Sequence, residues 1–212
     1  MLLAWAASAQ DPTTTWPYLY PEFKEGTAFL KDESQVIQKY NIHIRHDKLH
    51  YIDKQGIVRE AILGDVLMVE IDGDAYYNVK GEMMKIAAKT EKGFVVAEIL
   101  GDFAALLETG GAYGTSSTTS ATQKLSSIDT DSQINQSYML LQQGKREGAM
   151  VDLVTKWYLV GPSFKIPATK KDVESIVPED RKADWKAWQK ANKVKWNKPE
   201  SLAGVVEFLT NL

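Results

Sequence analysis

Short apolar runs separated by turn residues make up most of the chain between residues 26 and 100. The runs are rich in β-branched and aromatic residues, and turn signals recur roughly every 8 to 12 residues, which is typical of antiparallel strands joined by short loops. Asp72 and Gly73 separate two of these runs. An Asp-Gly pair can supply the positive φ angles of a two-residue hairpin turn. The pattern therefore predicts a twisted antiparallel β-meander or an open β-roll.

The periodicity becomes helical after residue 168. Thr169 and Asp172 predict a helix N-terminus, and Pro178 predicts the start of a second helix. Trp185 and Trp188 lie three residues apart, so they share one side of that helix. A final helix is indicated by an apolar stripe made of Leu202, Val205, Val206 and Leu209. The sequence thus predicts an α+β fold, in which two to three short C-terminal helices pack on the sheet.

These patterns divide the chain into regions. Residues 1–9 are interpreted as a signal-peptide remnant, because Ala7-Ser8-Ala9 has the small-x-small pattern that precedes signal-peptidase cleavage. Residues 10–168 are predicted to form a β-rich domain with a Ser/Thr-rich loop at about residues 110–133. A strand from Val151 to Val160 is expected to rejoin the sheet after this loop. Residues 169–212 form the predicted helical tail.

Composition narrows the classes of function. The chain of 212 residues has no cysteine, which excludes thiol catalysis, disulfides and thiolate metal sites. Apolar residues make up 44% and charged residues 25%, as in most globular proteins. The net charge of −3 is too small to indicate a nucleic-acid partner. No later run approaches the ~18 to 20 apolar residues that cross a bilayer, so the mature chain is not predicted to span a membrane.

All three histidines lie within residues 41–53. If the two apolar arms of this stretch form a hairpin centred on His46 and Asp47, then His43 and His50 face each other with Cβ atoms about 5 Å apart. Two opposed imidazoles could hold zinc or copper, so His43 and His50 are the metal candidates. A firm site needs three or four ligands, and His46 at the turn tip is expected to point elsewhere. The stretch is therefore interpreted as a structural hairpin without a metal.

Known catalytic motifs are missing from the sequence. It contains no G-x-S-x-G, no P-loop and no H-E-x-x-H motif. Glu70, Asp72 and Asp74 resemble part of a calcium loop, but the later ligands of such a loop are not at their required positions. No cofactor and no catalytic residue are predicted. A glycosidase needs only two carboxylates, which sequence spacing alone does not exclude.

Two segments carry a family likeness. The first runs through FKEGTAFLKD, KLHYIDKQG and VLMVEIDGDAYY, and the second extends from WYLVGPSFKIPATKKDVESIVPEDRK to SLAGVVEFL. Together they resemble uncharacterised exported proteins of Bacteroidota that have an N-terminal β-meander and a short helical C-terminal tail. The resemblance implies an exported protein, periplasmic or on the outer surface. It carries no known activity and no catalytic residues.

The sequence favours a non-enzymatic envelope protein that acts as a binding or interaction module. Its expected partner is another envelope protein or a glycan. Trp185 and Trp188 in the helical tail are the candidate interaction surface. Two alternatives stay open: a carrier of a small apolar ligand held between the sheet and the helices, and a carboxylate-dependent hydrolase of glycan or peptidoglycan.

Overall fold

The computed structural model describes residues 17–102 and 152–212. Within these ranges the chain forms one antiparallel sheet followed by three α-helices. The ten strands are β1 (Lys24–Leu30), β2 (Gln35–His43), β3 (Lys48–Ile52), β4 (Val58–Glu60), β5 (Val66–Ile71), β6 (Asp74–Val79), β7 (Glu82–Lys89), β8 (Phe94–Gly101), β9 (Leu153–Val160) and β10 (Lys165–Pro167). The helices are α1 (Lys170–Ile176), α2 (Lys182–Asn192), which follows a 3₁₀ turn at Glu179–Arg181, and α3 (Pro199–Thr210).

The predicted α+β fold is confirmed, with one refinement of the strand order. The order across the sheet is β10-β9-β8-β7-β6-β5-β1-β2-β3-β4. β1 therefore lies inside the sheet, with β2 to β4 leading to one edge and β5 to β10 leading to the other. After β4 the chain crosses to the other side of β1 and forms β5 there. The sheet therefore consists of two meanders that share β1. The strand predicted after the Ser/Thr-rich segment corresponds to β9, which pairs with β8 along its whole length.

The turn between β5 and β6 has the predicted chemistry. Asp72 has a φ of 52° and Gly73 a φ of 84°. Ile71 pairs with Asp74 across this two-residue turn. Positive φ angles at both central positions match the right-handed twist of the flanking strands. The Asp-Gly pair therefore sets the register of this hairpin.

α3 packs on one face of the sheet through its predicted apolar stripe. Val95 of β8 and Leu159 of β9 supply the sheet side of this contact. Gly93 lets the chain pass close to α3, because a Cβ there would lie 2.8 Å from Cγ1 of Val206. All four members of the stripe are buried: Leu202, Val205, Val206 and Leu209. Burial of such a stripe is the main stabilising contribution to a short amphipathic helix.

The first two helices also follow the sequence. Thr169 caps α1, since its hydroxyl accepts a hydrogen bond from the backbone N–H of Asp172. Trp185 of α2 is buried in the same core as α3, at 1% exposure. Lys186 and Lys190 of α2 are exposed. The helical tail thus packs as a layer on the sheet with its lysines facing water.

Two predicted regions lie outside the described residues. These are the signal-peptide remnant at residues 1–9 and the Ser/Thr-rich loop at about residues 110–133. Both stay predictions. Of the helices in the described ranges, none combines the length and the apolar character needed to cross a bilayer.

Candidate functional site

The turn between β2 and β3 reaches across the sheet to β7 and β8. Met83 of β7 donates its backbone N–H to the carbonyl of Asp47 at 2.7 Å, and Gly101 of β8 donates to the carbonyl of Ile44 at 3.0 Å. The β7–β8 ladder covers residues 85–89 of β7 and residues 94–97 of β8, so Met83 and Gly101 both lie beyond it. The residues 44–47, called here the 44–47 turn, therefore fill the space where β7 and β8 diverge.

The register of this hairpin differs from the prediction. His43 pairs with Lys48 and not with His50. A two-residue turn centred on His46 and Asp47 would need positive φ at both positions. Within the turn only Asp47 has one, at 49°. The predicted direct opposition of His43 and His50 is therefore wrong, and the turn holds four residues instead of two.

The three histidines nevertheless meet on one side of the hairpin together with Tyr18. The ring of His43 stacks on His46 with centroids 5.3 Å apart, and it lies 5.3 Å from the ring of His50. The Tyr18 hydroxyl shares a hydrogen bond of 2.8 Å with Nδ1 of His50. These four residues are called the histidine cluster. The expectation that His46 points elsewhere is wrong, because the longer turn folds its ring back onto His43.

Burial keeps the histidine cluster neutral at pH 7. Desolvation, followed by the neighbouring His50 and His46, lowers the pKa of His43 to about 4. Burial also lowers the pKa of His46 and that of His50. For His50 this effect is opposed by Glu60, whose carboxylate lies 3.7 Å from Nε2. Protonation of the cluster at acid pH therefore acts against the folded hairpin.

Neutral imidazoles are the form that binds a metal ion. The residues described by the structure, however, contain no group of three or more His, Asp or Glu side chains placed to hold one. His43 and His50 thus lie near each other without the further ligands that a firm zinc or copper site requires.

Asp47 combines three unusual features. It is 4% exposed, and its backbone lies in the left-handed region with φ 49°. Its Oδ1 has no hydrogen-bond partner among the residues of the two described ranges. A buried carboxyl without a partner is costly, and residues held in unfavourable backbone conformations concentrate at functional sites. These features single out Asp47 within the turn.

Charged side chains of four strands surround Asp47. They are Glu82 of β7, Glu98 of β8, Lys156 of β9 and Lys165 of β10. Nζ of Lys165 lies 2.5 Å from Glu82, and Nζ of Lys156 lies 3.5 Å from Glu98. Each lysine is thus paired with a glutamate. Burial, followed by the charges of Glu98 and Glu82, raises the pKa of Asp47 to about 7.

A carboxyl that keeps its proton near neutral pH has the protonation state of a general acid. A general acid must also reach its substrate within hydrogen-bond distance. Asp47 is 4% exposed, so it does not offer its proton to a substrate while the 44–47 turn is in place. Below about pH 7 the turn therefore covers a carboxyl that is mainly protonated.

A pocket of about 360 Å³ lies between α2 and α3. This volume falls within the range of small-molecule sites, about 300 to 1,000 Å³. Two aromatic rings, those of Trp188 and Phe208, line the pocket together with Gly204. The remaining lining is polar and consists of Arg181, Asn192, Glu207 and Asn211. This set is called the α2–α3 pocket.

Aromatic packing fixes the position of Trp188. Its ring stacks on that of Trp185, with centroids 5.6 Å apart and an angle of 18° between the planes. Phe208 lies 5.2 Å from both rings. Trp185 itself is buried and supports the pocket from behind, whereas Trp188 is half-buried and lines it. Of the two tryptophans predicted as an interaction surface, the structure therefore places Trp188 at a pocket.

Sequence reasoning did not find Phe208, Arg181 or Asp47. A signal for Phe208 exists, because it follows Gly204 by four residues and so lies on the same side of α3. Asp47 gave no such signal. Its burial results from contacts with β7 and β8, which are distant in the sequence.

Comparisons of the chain with protein-family models, with curated proteins and with solved structures return no match.

Proposed function

We propose that this protein is an exported, non-enzymatic binding module of the cell envelope, and that its ligand is a glycan seated in the α2–α3 pocket. The observation that carries the proposal is the lining of this pocket, in which Trp188 and Phe208 are combined with charged and amide side chains. The location rests on the N-terminal small-x-small pattern and on the family likeness.

The chemistry of the lining fits a sugar ring. A pyranose has an apolar C–H face that packs on an aromatic ring, and an equatorial rim of hydroxyls that both donate and accept hydrogen bonds. Trp188 and Phe208 supply the aromatic walls. Arg181 donates from Nε to Asp184 and keeps its other N–H groups, and Glu207 supplies acceptors. The two amides of the pocket each donate one N–H to a backbone carbonyl of the protein, so each keeps one N–H for a ligand. A pocket with a few polar groups around aromatic walls is typical of specific small-ligand sites.

Binding is favoured over cleavage at this site. Glycoside hydrolysis ordinarily uses two carboxyl groups that flank the scissile bond. Glu207 is the one acidic side chain among the described residues that line the pocket. Asp47, the carboxyl with the raised pKa, lies on the β2–β3 hairpin near Glu98. Glu98 is three residues from Val95 along β8, so their side chains lie on opposite faces of the sheet, and Val95 is on the face that packs on α3.

The packing of α3 also favours a glycan over an apolar ligand. A carrier of an apolar ligand would need a cavity between the sheet and the helices. There, Leu202 and Val206 of α3 pack directly on Val95 and Leu159, and all four side chains are fully buried. This interface is filled by the protein's own side chains.

The proposal is tested by titrating isotope-labelled protein with soluble oligosaccharides, including fragments released from peptidoglycan, while following the indole N–H signal of Trp188 by NMR. We expect one class of oligosaccharide to shift this signal in a saturable way. Arg181→Ala should weaken the binding, because Arg181 lines the pocket. Lys186→Ala is the matched control, since it removes a cation from the exposed side of α2.

Two outcomes would count against the proposal. If no oligosaccharide shifts the Trp188 signal, the pocket does not bind glycans. If a fatty acid shifts it and no sugar does, the protein is a carrier of apolar ligands.

A further inference from the structure

The 44–47 turn is held against the sheet by a small set of backbone contacts. Its two ends accept hydrogen bonds from Met83 and Gly101, which both lie beyond the end of the β7–β8 ladder. Lys48, which follows the turn, donates from Nζ to the carbonyl of Gly81 at 2.7 Å. In this position Ile44 is 1% exposed and Met83 is 1% exposed. Release of the turn would therefore free two backbone donors and uncover apolar side chains.

The same turn buries a carboxyl beside paired charges of the sheet. Lys165 and Lys156 are the cations that β10 and β9 bring near Asp47, and they are already paired with Glu82 and Glu98. The turn and its flank contribute Arg45, His46 and Lys48, of which Lys48 is bound to the β6–β7 turn. The Oδ1 atom of Asp47 has no hydrogen-bond partner within the described chain. An ionised carboxylate at this position would be both desolvated and next to two like charges.

We propose that the 44–47 turn is a proton-operated latch: it stays seated between β7 and β8 while Asp47 carries a proton, and it is released when Asp47 gives that proton up. The titrating group is the carboxyl of Asp47, and the segment that moves is the tip of the β2–β3 hairpin. The latch is independent of the α2–α3 pocket.

The direction of the effect follows from the two environments of Asp47. In the released turn the carboxyl is solvated, and its pKa is the ordinary one for aspartate, about 3.9. In the seated turn the pKa is raised to about 7. Between these values the seated form holds one more proton than the released form, so the opening constant rises by up to about tenfold per pH unit. Above pH 7 both forms are ionised and the opening constant levels off. The Asp47 contribution therefore tightens the latch in acid and loosens it at neutral and alkaline pH, in the opposite direction to the contribution of the histidine cluster.

Amide hydrogen exchange reports the latch directly, because Met83 and Gly101 are the amides that the turn protects. We measure their protection factors from pH 4.5 to pH 8.5 in the wild type, in Asp47→Asn, and in Asp65→Asn as a control for an exposed Asp→Asn change. Dividing the wild-type protection factor by that of Asp47→Asn at each pH cancels the contribution of the histidine cluster. We expect the wild-type protection of both amides, relative to Asp47→Asn, to fall about 50-fold from pH 5 to pH 7 and to level off above pH 8, about 100-fold below its value at pH 5. Asp65→Asn should follow the wild type.

The latch is overturned if wild type and Asp47→Asn show the same pH dependence at Met83 and Gly101. It is also overturned if Met83 and Gly101 exchange no faster than the slowest amides of the sheet at every pH, since they would then open only by global unfolding. If Asp47→Asn does not fold, the carboxyl carbon of Asp47 is titrated by NMR in the wild type. A midpoint near 7 supports the latch, and a midpoint near 4 contradicts it.

Discussion

The backbone N–H of Met83 donates to the carbonyl of Asp47 at 2.7 Å, although four strands separate β7 from β3 in the order of the sheet. A sheet this strongly curled brings the tip of one hairpin against the far half of the same sheet. The contact completes backbone hydrogen bonding where β7 and β8 diverge, and it places a carboxyl under the turn. The tip of the hairpin thus both completes the backbone hydrogen bonding of the sheet and buries the carboxyl of Asp47.

Asp47 should make the protein less stable as the pH rises. Its pKa in the folded state, about 7, lies above the ordinary value for aspartate, about 3.9. The folded state therefore binds the extra proton between these values, so stability falls as the pH rises from about 4 to 7 and is level above that. The full effect is on the order of 4 kcal/mol if the turn stays seated, and release of the 44–47 turn limits it to the free energy of opening. Urea denaturation of Asp47→Asn should lack this decline. An equal decline in both proteins would show that another group causes it.

His43 should act in the opposite direction. Its pKa is lowered to about 4 in the folded state, against an ordinary value of 6.5. The unfolded chain then binds the extra proton between these values, so stability falls as the pH is lowered from 6.5 through 4. His43→Gln removes this contribution and should flatten the acid side of the stability profile. If the variant loses stability in acid as steeply as the wild type, His43 is not the group responsible.

Asn41 should hold the N-terminal segment on the sheet. This side chain is fully buried, its Oδ1 accepts from the backbone N–H of Tyr20 at 3.0 Å, and its Nδ2 donates to the carbonyl of Tyr20 at 2.9 Å. Asn41→Leu leaves these buried groups without partners, which costs about 2 to 3 kcal/mol. Chemical denaturation measures the loss, and limited proteolysis should cut the variant near Tyr20 first. Gln55→Leu, in an exposed turn, is the control and should behave as wild type.

The two sides of α2 should differ sharply in their effect on stability. Trp185→Ala empties a core position and should cost about 3 to 5 kcal/mol, or on the order of 10 °C in melting temperature. Trp185→Phe should cost less, because it keeps an aromatic ring and removes a buried indole N–H that has no partner among the described residues. Lys186→Glu combined with Lys190→Glu changes exposed positions and should alter the free energy of unfolding by a few tenths of a kcal/mol at most. Similar melting of the tryptophan and lysine variants would mean that α2 is not packed on the sheet.

The parts of the fold that could be predicted are those determined by local sequence. Asp72-Gly73 specifies its own hairpin, and the stripe from Leu202 to Leu209 specifies the buried side of α3, because neighbours within four residues decide both. The hairpin carrying the histidines was placed in the wrong register, since its turn is shaped by contacts with Met83 and Gly101 that the local pattern does not contain. The sequence predicts no pocket between α2 and α3, although it marks Trp188 as part of a candidate interaction surface. Trp188 is conspicuous in the sequence, whereas its partner Phe208 belongs to a helix whose crossing with α2 is a tertiary property.

The most direct test of the proposed function is the affinity of Gly204→Ala for the oligosaccharide that shifts Trp188. A Cβ at this position would lie 3.4 Å from the ring of Trp188, an ordinary packing distance, so the methyl group fits but occupies the pocket lining. Replacing glycine by alanine inside a helix should also stabilise the fold by about 0.5 to 1 kcal/mol. We predict a higher melting temperature together with binding at least about tenfold weaker, a loss of 1.4 kcal/mol or more. Unchanged affinity in this more stable variant would contradict a glycan site between α2 and α3.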